Sequence, residues 1–109
     1  MEIAFRTKTL RAVCLSGEAM DERYGAEDAA LLRSRIADIR AAERLGDLPL
    51  LALSLVPGSL GDEAALPVGA GLTIVLKINH QKPPRLADGG IDWARVERIL
   101  IQRIERTHG

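Results

Sequence analysis

The run Leu72 to His80, Leu-Thr-Ile-Val-Leu-Lys-Ile-Asn-His, constrains this chain more than any other stretch. Leu72, Ile74, Leu76 and Ile78 alternate onto one face, and Thr73, Val75, Lys77 and Asn79 onto the other. The wholly apolar face demands cover, because burying one large aliphatic side chain is worth roughly 1.5–3 kcal/mol. The opposite face is mixed and runs out into an amine, an amide and an imidazole. This pattern predicts a central sheet strand, covered on one side and partly open to a ligand on the other.

The rest of the chain must supply the cover. Met1 to Arg6 reads as a short opening strand with Ile3 and Phe5 on one face. Thr7 or Thr9 then caps a helix to about Ser16, whose apolar face is Leu10, Val13 and Cys14. Gly17 interrupts it, and Glu18 to Arg23 forms a second short helical piece. After Tyr24-Gly25, the three-four spacing of Ala29, Leu32, Ile36 and Ile39 predicts a long helix from Ala26 to Leu45. Glu27 and Asp28 fall in its first turn, where the macrodipole favours anions, and Gly46 is the expected stop.

Downstream, Leu48 to Val56 reads as a strand bracketed by Pro49 and Pro57. Ser59 to Gly71 reads as a loop or irregular hairpin, and Gln81 to Gly90 as an extended loop ending in the Asp88-Gly89-Gly90 turn. The last stretch reads two ways. Trp93, Val96, Leu100 and Ile104 have helical spacing, whereas Val-Glu-Arg-Ile-Leu-Ile has the β-branched content of a strand buried on both faces.

A chain of 109 residues, 47% hydrophobic, is enough for a single domain with its own core, taken as residues 1–109. No run of about 18 apolar residues predicts a transmembrane helix, and the N-terminus lacks the basic and apolar regions of a signal peptide. The lone Cys14 excludes an internal disulfide and fits a reducing cytoplasm, the expected location. It reads as a small buried group on a helix face in preference to a nucleophile.

Fifteen basic residues balance fifteen acidic ones, so bulk charge does not choose a partner. The distribution is uneven. Residues 18 to 47 hold eight acids against five bases, whereas Arg6, Lys8 and Arg11 stand together without an acid. Lys77, Lys82 and Arg85 do the same, and Arg98, Arg103 and Arg106 follow in the tail. If these clusters share a face, the result is a neutral protein with a basic patch suited to a phosphate backbone.

There is no Gly-rich phosphate loop, no Cys/His metal spacing and no Gly-x-Ser-x-Gly elbow, so neither metal nor cofactor is expected. His80 and His108 are the only imidazoles, and hence the candidates for general acid–base work near neutral pH. The competing reading makes His80 the start of a solvated loop and His108 a terminal residue. With three aromatic residues no stacking platform for single-stranded RNA is evident, and Trp93 is expected to pack at the core edge.

Several pieces, in order, resemble the HigB/RelE-like plasmid-maintenance killer toxins of type II toxin–antitoxin systems. Met-Glu-Ile-Ala-Phe-Arg-Thr-Lys-Thr-Leu-Arg is similar to that family's first strand and helix entry. Cys14, Tyr24-Gly25-Ala26-Glu27 and the run Arg35 to Ala42 resemble its long second helix, and Asp47-Leu48-Pro49 its exit. Asp88-Gly89-Gly90-Ile91-Asp92-Trp93 and the Ile-rich segment closing on His108 resemble its last strand and tail.

The resemblance implies an α+β fold, with two or three N-terminal helices on one side of a small, mainly antiparallel twisted sheet. It also implies that residues 96 to 105 form a strand. The implied activity is metal-independent, ribosome-dependent cleavage of messenger RNA, in which a 2′-hydroxyl attacks the adjacent phosphate. His108 and His80 would then move protons, and Arg6, Lys8, Lys77, Lys82, Arg103 and Arg106 would hold RNA phosphates. The implied partners are a helix-turn-helix antitoxin, the ribosome and its messenger RNA, with operator DNA reached only through the antitoxin and no membrane. Two departures stand out. Many relatives place an aromatic and an arginine on the central strand where this chain has Leu72 and Thr73, and end in Asp-Tyr-His where it has Arg106-Thr107-His108. A noncatalytic RelE-like module that binds an antitoxin or nucleic acid is therefore the alternative, and a homodimer built on an edge strand near Pro57 is a third reading.

Overall fold

The computed structural model describes residues 1–48, 53–56 and 61–107. A strand β1 (Glu2–Phe5) leads into three helices, α1 (Lys8–Leu15), α2 (Gly17–Tyr24) and α3 (Ala26–Ala41). The strands β2 (Ser54–Leu55), β3 (Glu63–Val68), β4 (Leu72–Ile78) and β5 (Arg98–Arg106) follow. Two 3-10 turns, Leu45–Asp47 and Trp93–Arg95, lie outside the sheet. The strands form one five-stranded sheet in the order β1-β5-β4-β3-β2.

This is an α+β fold, and its sheet is mixed. Strands β2 to β5 pair antiparallel, but β1 joins the far side of β5 in parallel, Ile3 opposite Ile99 and Phe5 opposite Ile101. The expectation of a mainly antiparallel sheet is corrected at that edge. The cause is connectivity: β1 is separated from its partner by the whole helical layer and three strands, so no tight turn dictates its direction. Strand β5 resolves the two-way reading of the tail, and it carries a bulge. Val75 faces Arg103 and Leu76 faces Ile101, leaving Gln102 as the extra residue. The bulge lets Ile101 and Ile104, three apart, point to the same side.

Cross-strand partners share a face, so the register sorts the side chains. Leu72, Ile74 and Leu76 of β4 join Leu66 and Val68 of β3, and Ile99 and Ile101 of β5, on the covered face. The helical layer meets them with Met20, Tyr24, Leu32, Ile36 and Ile39, all buried. Helix α1 lies against β1 and α3 against β3. Each helix starts for a local reason. The Thr7 hydroxyl accepts from the Leu10 amide at 3.0 Å, and the Ser16 hydroxyl from the Ala19 amide at 3.2 Å. Gly25, at φ +89°, joins α2 to α3 in a conformation that L side chains rarely adopt.

Helix α3 ends at Ala41, four residues short of the expected Leu45. The reason is Leu45 itself, which is fully buried and hydrogen-bonds through its amide to the Val96 carbonyl at 3.0 Å. A continued helix would carry it away from that partner. Gly46 is accordingly not a helix stop. It sits in the 3-10 turn, where an added Cβ would lie 2.8 Å from the Ala94 carbonyl oxygen.

The stretch Ser59 to Gly71, expected as a loop or irregular hairpin, supplies the first strand of a hairpin: β3, whose Ala64, Leu66 and Val68 alternate inward, turns at residues 69–71 into the antiparallel β4. Pro67 lies within β3, opposite Thr73 of β4. Of the predicted strand from Leu48 to Val56, Ser54–Leu55 pairs, and residues 49–52 and Pro57 lie outside the described residues. Trp93 is partly buried against the core edge, as expected. Among the described residues no helix is long and apolar enough to cross a membrane.

Candidate functional site

The helices occupy one face of the sheet. On the other, β4 and β5 present Thr73, Val75 and Lys77 beside Glu105, Arg103 and Leu100. This open face is charged but largely self-neutralised. Lys77 Nζ lies 3.9 Å from Asp62 Oδ2, Arg98 Nε 3.4 Å from Glu2 Oε2, and Arg103 pairs with Glu105. Gln102, pushed out by the bulge, reaches across β4 and donates to Glu63 Oε1 at 2.6 Å. The Thr73 and Thr107 hydroxyls share a hydrogen bond at 2.8 Å.

The sequence-predicted residues therefore do not converge on one centre. Arg106 belongs to the covered side: its guanidinium donates to Asp28 Oδ2 at 2.7 Å and to the Tyr24 carbonyl at 2.9 Å, tying the last strand to the helices. Arg6 stands at the end of β1 and Lys8 at the start of α1, both exposed. His108 lies outside the described residues.

His80 is the pivot. It follows β4, and its Nε2 accepts from the Glu97 amide at 3.0 Å and the Arg98 amide at 3.1 Å, pinning the entry to β5 against the exit from β4. An imidazole nitrogen that accepts carries no proton, so the network assigns the proton to Nδ1. Nδ1 is left free of these amides. In this arrangement Nε2 is not a free base.

Two clefts meet at that ring. One, of about 410 Å³, is lined by Arg44, His80, Lys82, Pro84, Arg95 and Glu97. The other, of about 370 Å³, is lined by residues including Asp62, Lys77, His80 and Arg85. No family model, curated protein or solved structure matches this chain. The clefts are therefore read on their own chemistry: together they gather cations from four segments around one oriented imidazole. Among the described residues no group of His, Cys, Asp or Glu is placed to hold a metal ion.

Sequence reasoning reached His80, Lys77 and Lys82 but missed Arg44 and Arg95. Arg44 falls within the longer helix expected from Ala26 to Leu45, off its Ala29-Leu32-Ile36-Ile39 stripe, and Arg95 sits in a turn with no motif. Both are delivered by the 3-10 turns that pack against each other through Gly46 and Ala94. Only the tertiary approach of those turns makes them neighbours. Cys14 lies apart, buried in the helical layer, and burial pushes its thiol up from 9.0 to about 11, which suits an inert packing group better than a nucleophile.

Proposed function

We propose that this chain is a RelE-like toxin of a type II toxin–antitoxin pair, acting on messenger RNA at the ribosome. The observation that carries this reading is the sidedness of the sheet. Helices cover one face, and the opposite face of β4 and β5 is left to run out into the His80 clefts, where Lys77, Lys82, Arg44 and Arg95 collect. The sequence resemblance supplies the family. RNA phosphates suit these cations, and cleavage by a neighbouring 2′-hydroxyl needs only a base, a stabiliser of the developing negative charge and an acid. Lys77 and Arg103 on the open face are the stabilising candidates, with His108 as the proton-transfer candidate. His80 orients and donates. The partner in this reading is a helix-turn-helix antitoxin that neutralises the toxin and carries it to operator DNA.

A second reading, a RelE-like module that binds antitoxin or nucleic acid without cleaving, is favoured by one specific feature. Lys77 and Arg103 already face carboxylates, and His80 Nε2 is engaged by backbone amides. Induced expression in a bacterial host separates the two readings. The toxin reading expects growth arrest that is relieved by His108→Ala in a chain that still folds. Arrest that persists in the His108→Ala variant supports the noncatalytic module, and unimpeded growth with the wild-type chain overturns the toxin reading.

A further inference from the structure

We propose that the cleft lined by Arg44, Lys82, Arg95 and His80 is a binding site for a phosphate group, separate from the open sheet face. The proposal rests on the RNA-engaging reading for the source of that phosphate, and its chemistry stands on the cleft itself.

Three cations reach the cleft from three separate segments and face one carboxylate, Glu97. Among the described residues no ion pair involves Arg44 or Lys82; the Asp47 carboxylate beside Arg44 accepts from its backbone amide at 3.2 Å. Arg95 is 3.9 Å from Asp92 and 61% exposed, a contact too loose and too solvated to neutralise it. The cleft therefore carries uncompensated positive charge on concave walls, where the field is focused onto an incoming anion. The sheet face differs, because a phosphate arriving there must first displace Asp62 from Lys77 or Glu105 from Arg103.

His80 gives the cleft its specificity for an acceptor. Its Nε2 is used by the Glu97 and Arg98 amides, so the ring nitrogen left to offer an N–H is Nδ1. Every polar group on the walls except Glu97 is then a donor: two planar guanidinium forks, an ammonium and an imidazole N–H. A phosphate, which at neutral pH offers acceptor oxygens around a tetrahedral centre, matches that set. A cation or a neutral sugar does not.

The test is an NMR titration of the 15N-labelled full chain with two probes. One is inorganic pyrophosphate, and the other a short single-stranded oligoribonucleotide without terminal phosphates. Arg44 and Lys82 are exposed, so an Arg44→Ala/Lys82→Ala double variant keeps the fold. The proposal expects pyrophosphate to shift the amides of Arg44, Lys82 and Arg95 and the ring of His80 saturably. The double variant should weaken that binding by at least about tenfold, the scale of one lost charge-assisted hydrogen bond. Pyrophosphate that leaves these signals unmoved, or a double variant that binds as tightly as wild type, overturns it. If pyrophosphate enters the cleft and the oligoribonucleotide binds nowhere, the site stands and the RNA reading falls. If the oligoribonucleotide shifts only Lys77 and Arg103 while pyrophosphate does nothing, the RNA reading stands and this site falls.

Discussion

Arg106 and Asp28, 78 positions apart in sequence, meet at 2.7 Å and join the end of β5 to the first turn of α3. The same guanidinium also takes the Tyr24 carbonyl, so one side chain satisfies the end of α2 and the acidic start of α3. Arg106→Ala should destabilise the protein by about 1 kcal/mol, since the pair is charge-assisted but half-exposed. Asp28→Asn should cost less, because the Tyr24 contact survives. Urea midpoints of the single and double variants measure the coupling, and strict additivity would show that the pair contributes nothing.

His80 should behave as a structural acceptor. His80→Ala leaves the Glu97 and Arg98 amides without their acceptor and should cost about 1 kcal/mol, because both amides remain accessible to water. His80→Gln places a carbonyl oxygen near the lost Nε2 and should recover most of that loss. Thermal melts compare the three chains. Equal destabilisation by both substitutions would mean that the two amides are not what His80 stabilises.

Gly46 is required by proximity. A Cβ there meets the Ala94 carbonyl oxygen at 2.8 Å, so Gly46→Ala forces the two 3-10 turns apart at a cost of about 1–3 kcal/mol. Adding Ala94→Gly should rescue little, because the nearer obstacle is backbone. The same displacement should open the Arg44–Arg95 cleft, which amide shifts at those residues would register.

The chain's alkaline limit should carry a contribution from Cys14. Its folded thiol is raised to about 11 from 9.0, so the neutral form is favoured in the native state. The corresponding stability is fully present below pH 9, where both states are protonated. It is lost as pH rises through 9 toward 11, because only the unfolded thiol ionises there. The difference in urea midpoint between wild type and Cys14→Ala should therefore be constant below pH 9 and shrink above it. A difference that does not change with pH would remove the thiol from the account.

Much of this fold was legible in the residues because its signals are local. The alternation from Leu72 to Ile78, the caps at Thr7 and the stripe Ala29-Leu32-Ile36-Ile39 each require only neighbours in sequence. The misses all involve distant partners. Helix α3 stops early because the Leu45 amide hydrogen-bonds to the Val96 carbonyl, and β1 runs parallel because its partner lies at the far end of the chain. The site divides in the same way. His80 and Lys77 could be found at the end of an obvious strand, but Arg44 and Arg95 become neighbours only when two turns meet at a glycine. Arg106 looked like a phosphate ligand because basic clustering in sequence does not report which face of a bulged strand a residue takes.

The most direct measurement of the central claim is a map of transcript 5′ ends after brief induction of the wild-type chain in a bacterial host, with and without an inhibitor of translation initiation. The account predicts new ends within translated reading frames, dependent on active translation and abolished by His108→Ala. An unchanged map alongside a folded, expressed protein would contradict it.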